Sequence, residues 1–189
     1  MNSLPLTHNL FWSTFFMILI ISSSLNPQSR SLLLAQNVLS QLQGIDVECE
    51  LVDLAQENLP RCNAGSCYGE PAVVSIAEKI KSASGVVLAT PVYNYSICSE
   101  AKNLVELTGQ AWKDTVAGFL CAAGGQGSYM AIMHLANSLM LDFRTFVLPR
   151  FVYATGDSFA GAEITDNDLL DRIGQFANEM NRVSKALMG

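Results

Sequence analysis

Five serines, an asparagine and a proline fall within the ten residues Ser22-Ser-Ser-Leu-Asn-Pro-Gln-Ser-Arg-Ser31. Immediately before them, Met17-Ile-Leu-Ile-Ile21 is an unbroken apolar run. Immediately after them, Leu32, Ala35, Val38, Leu39 and Leu42 recur at helical spacing until Gly44. Hydroxyls and unpaired backbone N–H groups are thus gathered where a strand gives way to a helix. A helix N-terminus carries a positive partial charge and holds a phosphate without a cluster of lysines. Serines at such a place also cap helices, and Ser29 and Ser31 both stand where a cap belongs. The residues alone leave cradle and cap open. Two more stretches occupy the same place in the pattern. Pro91-Val-Tyr-Asn-Tyr-Ser96 follows the apolar run Val86–Ala89, and Gly124-Gly-Gln-Gly-Ser128 follows the apolar run Val116–Ala122. In the latter the backbone turns sharply or approaches a partner closely, and glycine does either at little cost.

The elements that position these stretches follow from periodicity. Met17–Ile21 reads as a strand buried on both faces, and Ile45–Asp53 alternates apolar with polar residues as a half-exposed edge strand does. Residues 54–70 show neither period and carry Pro60, Gly65 and Gly69, which predicts a long surface loop. Pro71 opens a helix with Val73, Ile76, Ala77 and Ile80 on one face. Val86–Ala89 is a short strand that Thr90-Pro91 is expected to break. Helices are predicted over Ser99–Thr108 and over Ser128 to about Asp142, separated by the strand Val116–Ala122. A fifth strand region begins at Phe146-Val-Leu148 and resumes past Pro149 through Phe151-Val-Tyr153. The last helix carries a stripe of Leu169, Ile173, Phe176, Met180, Val183 and Leu187 behind a capping box, Thr165-Asp-Asn-Asp168. Five strands alternating with five helices dictate a doubly wound α/β fold: a five-stranded parallel sheet with helices on both faces. Ligands of such sheets sit beyond the carboxyl ends of the strands at the switch in strand order. All three unusual loops belong there, so one ligand can touch them all.

Composition narrows the partners. Half of the 189 residues are apolar, enough for one sizeable core, and residues 17–189 read as a single domain behind an appendage of residues 1–16. A net charge of −6 with eleven Lys and Arg argues against a nucleic-acid surface. Leu10–Ile21 is apolar but shorter than the roughly 20 residues that span a bilayer, and no basic residue other than His8 precedes it, so no stable membrane insertion is expected. The odd, scattered set Cys49, Cys62, Cys67, Cys98 and Cys121 suits a reducing cytoplasm. Cys62 and Cys67 flank Asn-Ala-Gly-Ser and are either a redox pair or two unrelated thiols. No second close pair exists to complete a metal site, and His134 has no partner at helical spacing; no metal is expected.

The loops resemble those of the NAD(P)H-dependent FMN reductases, flavodoxin-like flavoproteins, over roughly Met17 to Tyr153. Thr90-Pro-Val-Tyr-Asn-Tyr-Ser-Ile97 with Lys102-Asn103 is similar to the family's Thr-Pro-Glu-Tyr-Asn-Gly-Ser-Ile loop and later Lys-Asn pair. Ser23–Ser31 resembles its Gly-Ser-x-Arg-x-x-Ser-x-Ser/Asn phosphate loop, and Ala122–Ser128 its Ser-Gly-Gly-x-Gly turn. The chain departs from the pattern at Ser23 (for Gly), Asn26 (for Arg), Val92 (for Glu) and Tyr95 (for Gly). The resemblance implies that Ser24, Asn26, Ser29, Arg30 and Ser31 hold the FMN phosphate. It places Pro91, Val92, Tyr93, Asn94, Tyr95 and Ser96 along the ribityl chain and ring, and Gly124, Gly125 and Gln126 at the pyrimidine edge. It further implies a homodimer or homotetramer that takes hydride from NADPH or NADH and reduces a small acceptor such as free flavin, a quinone or an azo compound. The flavin then carries the chemistry and no catalytic side chain is required. The rival reading is a flavodoxin-like electron carrier that binds FMN without nicotinamide turnover.

Overall fold

The structure, a computed structural model, describes residues 16–188. The elements run β1 (Ile18–Ser22), α1 (Arg30–Gln43), β2 (Cys49–Asp53), α2 (Pro71–Ser82), β3 (Gly85–Tyr93), β4 (Ser96–Ile97), α3 (Ser99–Thr108) and β5 (Val116–Ala122). There follow α4 (Met133–Phe143), β6 (Phe146–Val147), β7 (Val152–Ala154), β8 (Phe159–Ala160), β9 (Glu163–Ile164) and α5 (Asn167–Met188). The main sheet runs β2-β1-β3-β5-β6, with β7 continuing beside β5. Its pairings are parallel apart from β4, which turns back antiparallel on β3. β1 lies at the switch in order, between β2 and β3. This is the doubly wound arrangement that the alternation dictates.

Each strand serves two cores because its side chains alternate between faces. Leu19, Ile21, Val86, Leu88 and Phe119 meet α2, α3 and α4. Ile18, Ile20, Val87, Leu120 and Val152 meet α1 and α5. Every residue of β1 is fully buried, which is why that strand reads as an unbroken apolar run. Helix α5 crosses the sheet at Gly118, where an added Cβ would lie 2.6 Å from Cζ of Phe176 and 2.8 Å from Sδ of Met180. The missing side chain lets the helix lie directly on the strand. Phe16 packs half-buried on this same side, with the Lys185 ammonium 5.2 Å from its ring centroid. The rest of the expected appendage, residues 1–15, lies outside the described residues.

Several elements differ from the sequence expectation. β3 runs through Thr90-Pro91 to Tyr93. Pro91 is tolerated because β1 ends at Ser22, opposite Ala89, so no ladder partner on that side asks for its missing N–H. The fifth strand region divides at Pro149 into β6 and β7, both paired with β5, and with β4 the main sheet counts seven segments rather than five strands. β2 starts at Cys49, after a turn with Asp46 at φ 56°. Residues 126–132 form a 3-10 segment, and α4 proper begins at Met133. The loop over 54–70 contains a 3-10 turn, Ser66–Gly69. β8 and β9 form a small antiparallel hairpin that periodicity did not register.

The cap of α5 is Asp166 rather than Thr165. Its Oδ1 accepts from the N–H of Leu169 at 3.0 Å, and its Oδ2 accepts from the Ser158 hydroxyl at 2.9 Å. These donors, the Leu169 N–H foremost, hold the carboxyl below the usual aspartate range. Asp166→Ala is expected to lower stability by about 1 kcal/mol in urea unfolding at neutral pH. Because the folded-state pKa is depressed, the stabilisation is present above the unfolded value near ~3.9 and is lost as pH falls through the folded value. The wild-type and variant unfolding curves should converge in that acid window.

Candidate functional site

Beyond the carboxyl ends of β1, β3 and β5 lies a cleft of about 680 Å³. The loop after β1 contributes Ser24, Asn26, Gln28 and Ser29, and helix α1 contributes Arg30 and Ser31. The end of β3 contributes Pro91, Val92, Tyr93 and Asn94, and the end of β5 contributes Ala122, Ala123 and Gly124. Other clefts exist, one of about 530 Å³ beside α3 and one of about 400 Å³ between the β6–β7 break and α5. Neither is at the strand ends. The cleft at the switch point is also chemically distinct, because its lining includes one guanidinium and no carboxylate in a protein of net charge −6.

The first loop caps the helix that follows it and turns further polar side chains toward the cleft. Ser29 caps α1, its Oγ accepting from the N–H of Leu32 at 3.1 Å, and lies 2.9 Å from Oγ of Ser31. Asn26 Oδ1 accepts from the N–H of Gln28 at 2.9 Å, and Ser24 Oγ accepts from the N–H of Asn26 at 3.3 Å. These two short-range bonds shape the loop and use the Asn26 side-chain oxygen, not its amide NH2 group. Arg30 lies with its Cζ 5.4 Å from the Phe159 ring centroid, so the β8–β9 hairpin supplies an aromatic surface for the guanidinium. An added Cβ on Gly156 would lie 3.1 Å from Nη1 of Arg30, so a side chain there would push on the same group. Ser23, which stands where the resembled family has Gly, faces inward. Its Oγ donates to the Ala89 carbonyl at 3.0 Å and lies 3.2 Å from Sγ of Cys98. It costs the cleft no space.

The second loop is a hairpin, with Val92 opposite Ile97 and Tyr93 opposite Ser96. Its two turn residues, Asn94 and Tyr95, have φ of 50° and 62°. Positive φ at both central positions is the type I′ pattern, whose preferred sequence is Asn-Gly. Tyr at the second position costs roughly 1–2 kcal/mol relative to glycine. The third loop is tied to β7, where the Tyr153 hydroxyl donates to the Gly125 carbonyl at 2.7 Å. Burial raises the pKa of that phenol, so it stays protonated and remains a donor. Tyr129 stacks on Phe151 at 4.8 Å and meets Tyr153 edge-on at 5.2 Å.

Of the residues singled out from sequence, Ser24, Asn26, Ser29, Arg30, Ser31, Pro91, Val92, Tyr93, Asn94 and Gly124 come together in the cleft. Tyr95, Ser96, Gly125 and Gln126 lie outside its lining. Sequence reasoning passed over Gln28, Ala122 and Ala123. Gln28 had a signal in its place inside the serine loop; the two alanines had none beyond closing a strand. Cys62 and Cys67 are both free thiols. The N–H of Asn63, 3.4 Å from the Cys67 sulfur, leads the contacts that draw that thiol below its ordinary value, whereas burial pushes the Cys121 thiol up to about 12. His134 is exposed on α4. Among the described residues no group of three or more His, Cys, Asp or Glu is placed to hold a metal, and no helix is long and apolar enough to cross a membrane.

Comparison with known proteins places this geometry. The family model described as NADPH-dependent FMN reductase matches residues 16–159. An NAD(P)H-dependent FAD/FMN reductase of Geobacillus thermodenitrificans is 30% identical over 80% of this chain and 85% of its own length. An NADH-dependent FMN reductase of Pseudomonas fluorescens is 33% identical over 77% of this chain and 79% of its own. Among solved structures, the apo form of an NADH:FMN oxidoreductase superposes with a TM-score of 0.72 at 15% identity, covering 87% of this chain and 88% of that one, which shows a shared fold. On its sequence match over most of its length, this chain belongs to the NADPH-dependent FMN reductase family.

Proposed function

We propose that the protein is an FMN-dependent oxidoreductase that draws hydride from NADPH or NADH and reduces a small flat acceptor of the free-flavin, quinone or azo kind. The observation that carries this reading is the carboxylate-free cleft at the switch point, closed at one end by the α1 N-terminus and Arg30. The residues fit a ligand with a terminal phosphate. Ser24, Ser29 and Ser31 offer hydroxyls, Asn26 offers an amide, and the first turn of α1 offers backbone N–H groups that no helical carbonyl can satisfy. Pro91, Val92, Tyr93 and Asn94 then line the path from the phosphate end toward the third loop, where Gly124, Gly125 and Gln126 offer main-chain donors. FMN, when bound, supplies the hydride and electron chemistry. The chain's own residues hold the phosphate, orient the ring and leave one side free for the nicotinamide to approach. Five free thiols suit a cytoplasmic setting, and family likeness favours a homodimer or homotetramer.

A second reading, an electron carrier, draws on the exposed rings of Tyr93 and Tyr95, since a carrier shields its flavin with aromatic side chains. Anaerobic reduction separates the two. NADPH or NADH is expected to bleach the bound flavin and a quinone to restore the colour, whereas bleaching by dithionite alone would establish the carrier.

Two variants test the site itself. Ser24→Asp sets a carboxylate beside the phosphate position, and like charges about 4 Å apart repel by about 4 kcal/mol at an effective dielectric of 20. FMN affinity, read by flavin fluorescence quenching, should fall at least tenfold; an unchanged affinity would remove the phosphate from this loop. Tyr153→Phe removes the bond to Gly125 and should cost about 1 kcal/mol of stability. It should also weaken FMN binding a few-fold through the loosened loop, measured by the same titration.

A further inference from the structure

Six non-glycine residues among those described have positive φ: Asp46, Ala64, Asn94, Tyr95, Asp114 and Arg144. Asn and Asp tolerate this region and Ala64 is small. Arg144 is the left-handed cap of α4 and forms a two-point ion pair with Asp114, at 3.0 and 3.1 Å. Tyr95 has no such explanation. Tyr95 is 53% exposed, so burial does not offset the backbone strain. Its position carries the meaning. The hairpin that it tips packs, through Ser96 and Ile97, against the 3-10 segment Gln126–Ile132. Tyr95 therefore sits in the turn between the end of β3 and the strand that packs on the 3-10 segment, just outside the lining of the cleft, with exposed Tyr93 on β3 and exposed Tyr129 on that segment. A Cβ added at Gly124, Gly125 or Gly127 would meet nothing within 4 Å.

Strain held at an exposed position beside a binding cleft points to function, because a fold has no reason of its own to keep it. We propose that Tyr95 is a specificity-determining residue whose ring forms one wall of the space where the electron acceptor docks, selecting flat aromatic acceptors over compact ones. The proposal rests on the flavin reading given above. In the net reaction NADPH loses a hydride to become NADP⁺, and a quinone gains two electrons and two protons to become the quinol, one proton arriving with the hydride and the other from solvent. Tyr95 enters through stacking, which favours offset contact between rings.

The test compares the FMN-saturated wild type with Tyr95→Gly and Tyr95→Phe, using NADPH as donor and either a naphthoquinone or ferricyanide, an octahedral ion, as acceptor. The measured quantity is kcat/KM for the quinone divided by kcat/KM for ferricyanide. Tyr95→Gly should lower this ratio at least tenfold, with a Tm equal to or above the wild type because glycine relieves the turn. Tyr95→Phe, which keeps the ring, should stay within about threefold of the wild-type ratio. A ratio unmoved by Tyr95→Gly, or moved as far by Tyr95→Phe, overturns the proposal. So does a Tm lowered by more than about 4 °C in the glycine variant, which would make Tyr95 a structural residue. Failure of the wild type to bind FMN would instead overturn the underlying flavin reading, and the proposal with it.

Discussion

The register of β1 on β3 and of β3 on β5 is the constraint on which the site depends. Ser22 lies opposite Ala89, and Ala89 opposite Leu120, so the three parallel strands run in a fixed register, with β1 ending first and β3 and β5 running on past it. The ladder bonds continue just past those ends, Ser23 N–H to the Ala89 carbonyl at 2.9 Å and Ala123 N–H to the Ala154 carbonyl at 2.9 Å. Each loop therefore leaves the sheet from a fixed point. A slip of one residue would turn every side chain of β1 to the opposite core and carry the serine loop away from the other two. The fully buried β1 and the close seat of α5 on Gly118 make such a slip costly, and the stability of the core and the geometry of the cleft are the same fact seen from two ends.

The electrostatics follow from that placement. In this acidic protein the cleft suits the proposed phosphate because its lining holds no carboxylate and includes the first residues of α1. The partial charge of α1 acts within its first turn, and Arg30 adds a full charge at that position. A loose arginine would pay for each encounter in side-chain entropy; the Phe159 ring restricts this one in advance. The β8–β9 hairpin, which has no part in the main sheet, thereby acquires a role at the site. Asp166 joins the same region to α5 through Ser158, so the hairpin is tied to the core on its other side.

Much of this was legible in the sequence because it rests on periodicity and on turn chemistry. The apolar runs located β1, β3 and β5, the 3.6-residue stripes located α1 and α5, and the loops stood out by Ser, Pro and Gly. What the sequence hid was local and had local causes. Pro91 reads as a strand breaker until one knows that β1 has already ended beside it. Pro149 divides a strand in two only because both halves still find β5. Thr165 and Asp166 are equally good caps by type, and the choice between them is made by where Ser158 lies. Ser23 in place of the family's Gly turns its hydroxyl inward to Ala89 and Cys98, a direction that no sequence pattern carries.

The turn at Asn94-Tyr95 is the most instructive of these cases. Read locally, Tyr at that position argues against a two-residue hairpin, since the type I′ turn asks for glycine there. The hairpin forms because its neighbours over-determine it: Val92 is buried beneath it, Cys98 anchors the following helix beside Ser23 and Thr90, and Ile97 packs toward the 3-10 segment. A turn held from both sides can carry a residue that it would not choose. The serine hydroxyls of the cleft lining are concentrated at the α1 end, where the proposed phosphate would sit. Toward the glycine loop the surface becomes main chain and tyrosine rings, without a carboxylate in the cleft lining. That gradient suits the proposed placement of the cofactor, its anionic end at α1 and its planar end at the glycine loop.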